Sequence, residues 1–377
     1  MRDNIMYQPG KKWLPVFIIL LIMSLLVPSG SAYGQETLTV DEAIDTALKN
    51  SNDLKSIQEQ VERLWEQRKD VADDVNYAPA PGVGAVTAEA QSMWTSLLNV
   101  DINWRIKKRE LEEARRKLAL DIISKYMDVV TAQENLKRAE IIASRDTVSL
   151  KNMQAMVAVG MATQANLSGI EAQAENAQKS LEVARQNLEK AYEALNRLMG
   201  VELSKRYEVI VPDYRKMDIQ DVEVEAERAV DTNYDVWLLR RKTDIENWDL
   251  DYPFTYGPNG TAVKDYDVEK HDVYSVNFAR LSAEDAVREQ VRKAYRDILN
   301  LEEQIVAAQK GVAAAEENVR TGKVQYEVGV ITREQLLKLE AQAVEATTAL
   351  NSLKAAHYAS VAAFKWLTGK DIKQFDK

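Results

Sequence analysis

A group of acidic side chains with one histidine is the part of this sequence that most directly suggests chemistry. It consists of Asp265, Asp267, Glu269, His271 and Asp272. Carboxylate oxygens and imidazole nitrogens bind divalent metal ions, so one interpretation is a metal site. The spacing matches no metal-binding loop, and runs of like charge are commonly solvated. We therefore predict a solvated acidic loop at this position and no metal.

The rest of the sequence does not indicate catalytic machinery. The chain has no cysteine and only two histidines, and no nucleophile stands at a usable spacing from a base. It contains no glycine-rich phosphate loop. The second histidine, His357, falls on a heptad position, where a partly buried seam residue is a simpler interpretation than a ligand. We predict a protein that is not an enzyme and needs no cofactor.

The sequence repeats itself over most of its length. Residues 328–343 read VGVITREQLLKLEAQA and residues 159–174 read VGMATQANLSGIEAQA, at an offset of 169. Near the start of each copy the offset is 182, so the first copy holds a longer insert. A period this long differs from the short periods of solenoids. We predict a signal peptide at 1–35, a first repeat at 36–203, a linker at 204–218, a second repeat at 219–372 and a tail at 373–377.

The first 35 residues have the pattern of an export signal. Arg2, Lys11 and Lys12 precede an apolar run over 13–27, and small residues follow it. A membrane anchor is the alternative, although the run is shorter than the roughly 20 residues that span a bilayer as a helix. The signal predicts an exported protein. The formal net charge of −10 argues against nucleic acid as a partner, because phosphates demand a basic face.

Heptad patterns and the scarcity of helix breakers predict long helices. No proline occurs between Pro81 and Pro212. Over 167–198 apolar residues recur at alternating spacings of three and four, and the second copy repeats this seam over 336–367. Frequent alanine on the seam favours closely packed antiparallel partners. The sequence therefore predicts a mainly α fold of long antiparallel coiled-coil helical hairpins in two tandem repeats.

The motif V-G-x-x-T predicts a tight turn between the two helices of each hairpin. Gly329 can take the left-handed conformation that ends a helix. Thr332 can cap the next helix, and Gln335 can complete a capping box. Gly160 and Thr163 supply the same stop and start in the first copy.

These turns carry apolar side chains where a solvent-exposed turn is normally polar. Met161, Val330 and Ile331 are the residues concerned. One interpretation is that the turns serve the fold alone. The other is that they contact a partner, because exposed apolar patches commonly mark interaction sites.

The order of these features resembles the TolC-type outer-membrane efflux proteins over residues 37–372. The resemblance rests on an export signal, an opening helix with a T-x-x-E cap at Thr39 and N-S-N-D-L, a very long helix, V-G-x-x-T, and a heptad helix ending in L-M-G or L-T-G, with the helical part duplicated. It implies a homotrimer whose hairpins form a hollow α-barrel with short β-strand inserts, in the outer membrane or cell envelope. The implied function is a passive export conduit that works with a membrane-fusion adaptor and an inner-membrane transporter.

The resemblance also assigns candidate sites. The two V-G-x-x-T turns correspond to adaptor-facing tips, which comprise Val159, Gly160, Met161, Ala162, Thr163, Val328, Gly329, Val330, Ile331 and Thr332. Glu334, Gln335 and Lys338 stand where a pore entrance is expected. They do not form the acidic pair found in many members, so no acidic gate is assigned.

The membrane-facing inserts depart from the family pattern. Alternating apolar residues predict short strands at Leu98, Val100, Ile102 and Trp104 in the first copy, and at Tyr274, Val276 and Phe278 in the second. The rest of each insert does not alternate, and a barrel in lipid cannot leave strand edges unpaired. We therefore expect a reduced or absent transmembrane barrel. A coiled-coil scaffold of the cell envelope, derived from such an ancestor, is the alternative function.

Overall fold

The computed structural model describes residues 37–75, 88–210, 212–251 and 266–372. These ranges form two short strands and eight helices, so the predicted mainly α fold is confirmed. The helices are α1 (Val40–Asn50), α2 (Asn52–Asp74), α3 (Ala88–Ala158), α4 (Gln164–Met199), α5 (Val222–Thr232), α6 (Tyr234–Asp251), α7 (Tyr266–Glu327) and α8 (Arg333–Leu367). Strands β1 (Thr37–Leu38) and β2 (Glu208–Val209) pair in parallel. The predicted signal peptide at 1–35 and tail at 373–377 lie outside the described residues.

The helices of the two halves follow the same order. Helix α5 begins 182 residues after α1 (222 − 40), and both helices contain 11 residues. Helix α8 begins 169 residues after α4 (333 − 164). These are the two offsets of the sequence repeat. The T-x-x-E motif also forms its cap: Thr39 accepts a hydrogen bond from the Glu42 amide, and the Glu42 carboxylate accepts one from the Thr39 amide.

The four longest helices form an open layer in the order α4, α3, α8, α7. Helix α3 packs against both α4 and α8, and α7 packs against α8. At the end of the molecule opposite the V-G-x-x-T turns, α2 packs on α3 and α6 packs on α7. At 1.5 Å per residue, the 71 residues of α3 extend for roughly 105 Å. In the part of the chain that the structure describes, α4 and α7 make no comparable contact with each other, so the layer has two free edges.

The core lies near the middle of α3 and α7 and at the C-terminal ends of α4 and α8. One cluster joins α1, α3, α4 and both strands, and a second joins α5, α7 and α8. Within the first, the buried Tyr126 hydroxyl donates to the Leu38 carbonyl at 2.6 Å and accepts from the Ile210 amide at 3.0 Å. Burial raises the pKa of Tyr126 to about 12, so its hydroxyl keeps its proton and fastens both strand segments to α3.

The prediction of short strands in the two inserts is wrong, because both segments are helical. Leu98, Val100, Ile102 and Trp104 lie on α3, and Tyr274, Val276 and Phe278 lie on α7. Alternation over so few residues also fits a helix, because residues i and i+4 share one face and residue i+2 faces away. Tyr274 and Phe278 are exposed accordingly, and Val276 between them is buried.

Packing against α2 explains why the first insert is helical. Asp101 Oδ1 accepts a hydrogen bond from Arg68 Nε at 2.5 Å, and the rings of Trp104 and Trp65 lie 4.9 Å apart. Asp101 and Trp104 therefore face the same neighbour. Residues three apart are neighbours on a helix but point to opposite sides of a strand, so these contacts require the helix. None of the described helices combines the length and the apolar character needed to cross a membrane.

Candidate functional site at the hairpin tips

Both V-G-x-x-T motifs form the predicted turns. Gly160 and Gly329 each have a φ of 75°, the left-handed conformation that glycine adopts without a steric penalty. In the first turn the Met161 amide donates to the Met156 carbonyl at 2.8 Å, and the Gly160 amide donates to the Val157 carbonyl at 3.0 Å. This pair of bonds is a Schellman motif, which satisfies carbonyls at the end of α3. The second turn repeats it.

The helices that leave the turns begin at threonine caps. Thr163 Oγ1 accepts from the Asn166 amide at 3.2 Å. Thr332 Oγ1 accepts from the Gln335 amide at 3.2 Å, and Gln335 Oε1 accepts from the Thr332 amide at 2.8 Å. The predicted capping box at the second turn is confirmed. The Gln335 side chain is thereby bound to the Thr332 backbone, which makes it a capping residue.

Four apolar side chains project from the two turns. Met161 is 73% exposed, and Val159, Val328 and Val330 are each 69% exposed. Ile331 differs from these four exposed residues because its side chain is half-buried. The four residues form an apolar surface in a region where no other described element covers them, and we call them the tip knobs. Apolar surface of this kind commonly marks an interaction site.

The two hairpins are tied together just behind the tips. Glu334, at the start of α8, accepts hydrogen bonds from Ser149 Oγ at 2.9 Å and Asn152 Nδ2 at 3.2 Å, both on α3. A groove between the hairpins is lined by Glu334, Lys338 and the α3 residues Arg145 and Asp146. All three predicted pore-entrance residues, Glu334, Gln335 and Lys338, line this groove. No local sequence pattern indicates Ser149 or Asn152, because their partner belongs to the other repeat.

A buried charge lies at the base of this groove. Asp146 is buried, and its Oδ1 accepts from Arg145 Nε at 2.7 Å and from Gln173 Nε2 on α4 at 3.2 Å. The Asp146 hydrogen bond is the main cause that raises the pKa of Arg145, and the charges of Glu345 and Glu334 act in the same direction. The arrangement holds α3 and α4 in register below the tips. The sequence signal for this contact is Asp146 itself, a polar residue at a seam position of α3.

The other predicted positions contribute no binding site in the described residues. No group of three or more His, Cys, Asp or Glu side chains there could hold a metal ion; Asp265 lies outside the described ranges, and His271 is exposed on α7. His357 is only 3% exposed on α8, and its Nε2 lies 3.4 Å from Glu302 Oε1. It is a buried seam residue, more deeply buried than the sequence predicted.

Comparisons with known proteins give a match in structure only. No protein-family model matches the chain, and a search of curated proteins finds no match. The Campylobacter jejuni CmeC outer membrane channel superposes with a TM-score of 0.68 at 14% identity, covering 88% of this chain and 85% of that one. The outer-membrane channel OprN gives 0.65 at 14% identity, covering 88% and 90%. The outer membrane protein VceC from Vibrio cholerae gives 0.64 at 12%, covering 89% and 97%.

Structural similarity at such low sequence identity establishes the fold of the chain but not its activity. The superposed structures cover 88% of this chain. The chain therefore has the TolC-type fold of the outer-membrane channels, as the resemblance in its sequence predicted.

Proposed function

We propose that this protein is a passive export conduit of the outer membrane or cell envelope, built as a homotrimer. The open layer of four long helices supports this proposal most directly. Its two free edges, α4 and α7, belong to different hairpins. Copies related by rotation can join such unlike edges and close into a ring, because a head-to-tail contact closes when the rotation allows it. The similarity in fold to outer-membrane channels agrees with a tube of this kind.

The chemistry of the helices suits a wet interior. The chain has a formal net charge of −10, and 29% of its residues are charged. Charged side chains are costly to bury unless they are paired, so a tube lined by these helices would hold water. The conduit would be passive, since the described residues present no catalytic constellation. Selection of the exported molecule would then fall to an inner-membrane transporter.

The tip knobs are the proposed contact with a membrane-fusion adaptor. Both turns are rigid, since each has a Schellman motif and a threonine cap. Each turn therefore presents its apolar side chains without a large loss of conformational freedom on binding. The tie between Glu334 and α3 holds the two tips beside each other. An adaptor would thus meet both tips as one surface.

Ion conductance across planar lipid bilayers tests the conduit. A closed trimeric tube should give discrete single-channel steps after reconstitution of the full-length protein. Heat-unfolded protein at the same concentration serves as the control for non-specific leakage. Absence of discrete steps from correctly folded protein would contradict the proposal.

A structural scaffold of the cell envelope is the second candidate. The helical hairpins at both ends of the molecule favour it, because α2 with α3 and α6 with α7 continue the rod in the described residues where strands were predicted. Such a rod could space two layers of an envelope without conducting ions. The conductance experiment separates the two candidates, since a scaffold gives no channel steps.

A further inference from the structure

A very close contact between helices lies two turns below the second tip. Gly322 is buried on α7. A Cβ atom at this position would lie 2.4 Å from Leu339 Cδ1, 3.6 Å from Leu336 Cδ1 and 3.7 Å from Ile331 Cδ1. The backbone at Gly322 lies outside the left-handed region, so what the glycine provides is room for the Leu339 methyl group, which any side chain here would displace. It also occupies a helix interior, where glycine is unfavourable, and this makes a packing role the simplest account of it.

The first hairpin fills the corresponding volume in a different way. The offset of 169 places Met153 at the position of Gly322, and Ala162 at the position of Ile331. The first copy thus combines a large helix residue with a small turn residue, and the second copy combines a glycine with a large turn residue. Ala162 and Ile331 are both half-buried. Between the two copies, the large and the small side chain have exchanged places between the helix and the turn.

We propose that Gly322 and Ile331 act as a positioning pair that fixes the second tip. Ile331 packs towards the space left by the missing side chain of Gly322, which is why it is half-buried beside the exposed Val330. The turn is thereby held so that Val328 and Val330 project outward. The consequence for adaptor binding rests on the proposed function. The pair itself is a property of the free protein.

Hydrogen–deuterium exchange at residues 324–332 of the full-length protein tests the pair. Gly322→Met should overfill the contact and speed exchange in this segment by about tenfold. A combined variant carrying Gly322→Met, Ile331→Ala and Leu339→Ile copies the first hairpin, which has Ile170 at the last position, and should restore the native rate. Gly311→Met is the matched control on the same helix, because a Cβ atom there meets nothing within 4 Å.

Two outcomes would overturn the inference. One is a Gly322→Met protein whose tip exchanges at the native rate, and the other is a combined variant that exchanges as fast as the single one. The affinity for a membrane-fusion adaptor is measured separately, and should fall in Gly322→Met and recover in the combined variant. If a charged residue at Met161 leaves that affinity unchanged, the proposed docking at the tip knobs fails, while the exchange data still decide the positioning pair.

Discussion

Met161 and Val330 occupy equivalent places in the two turns and are the best single residues for testing adaptor docking. Replacing either with aspartate puts a charge on the proposed apolar contact, so we expect adaptor affinity to fall about tenfold or more. The fold should be little affected, because both side chains are exposed and changes at such positions alter stability by about 0.5 kcal/mol or less. Surface plasmon resonance with a membrane-fusion adaptor measures the effect.

Val224→Asp provides the control for this prediction. Val224 is 55% exposed on α5, which packs near the middle of the molecule and away from the tips. Its replacement adds the same charge to the protein and should leave adaptor affinity unchanged. Equal affinities for the wild-type protein and both tip variants would refute docking at the tip knobs.

Ile331 illustrates what sequence can and cannot predict for a single residue. Its position in an apolar turn made it an equal candidate with Met161 and Val330. The structure places its side chain within reach of α7, where Gly322 leaves room. The burial of a turn residue depends on the helix that packs against it. Here the residue that leaves room, Gly322, is nine positions away in sequence, and its closeness to Ile331 is visible only in the structure. A charge at Ile331 would therefore disturb packing as well as docking, and Ile331 is unsuitable for the binding test.

At the scale of elements, a buried polar contact fastens the inter-repeat segment to the helices. Glu302 Oε1 on α7 accepts from the Met217 amide at 2.7 Å and lies 3.4 Å from His357 Nε2 on α8. The Tyr214 and His357 rings are in T-shaped contact, with centroids 5.0 Å apart. Met217 and Tyr214 both belong to the predicted linker at 204–218. Three separate segments thus meet at one histidine.

This contact predicts that stability falls as the solution becomes more acidic than about pH 6.5. Burial lowers the pKa of His357, and the hydrogen bond and charge of Glu302 oppose that shift only in part. The unfolded chain then binds a proton more readily than the folded one. The stabilising contribution is complete above the unfolded pKa of about 6.5 and is lost as pH falls through that range.

Thermal unfolding between pH 7.5 and pH 5.5 measures this effect. The melting temperature should decline towards pH 5.5, and His357→Gln should decline less steeply. The exposed His271 provides a control, since His271→Gln should keep the native slope. Identical slopes for the native protein and His357→Gln would show that the buried contact is not the source of the pH dependence.

At the scale of the whole molecule, the free edges of the helix layer predict self-association. Helices α4 and α7 each pack on one long neighbour along most of their length. Long helices of this kind are stabilised mainly by packing of their apolar faces, so an uncovered edge favours a partner of the same architecture. We expect the full-length protein in detergent to have three times the mass of one chain by light scattering. A stable monomer would leave no enclosed conduit.

The sequence alone determined the properties that repeat locally. The heptad seams predicted the long helices, and V-G-x-x-T predicted both turns down to the capping box of Thr332 and Gln335. The two offsets predicted that the second half repeats the order of helices in the first half. These features could be predicted because each depends on residues within a few positions of one another, where backbone geometry dictates the outcome.

Only the tertiary structure decided which surfaces meet. The alternation at Leu98 to Trp104 suggested a strand, but packing of Trp104 and Asp101 on α2 made this segment helical. The tie of Glu334 to Ser149 and Asn152 joins residues more than 180 positions apart, so no local pattern could reveal it. Side chains paired across separate helices are selected by shape and charge at the contact, and these become defined only when the helices are side by side.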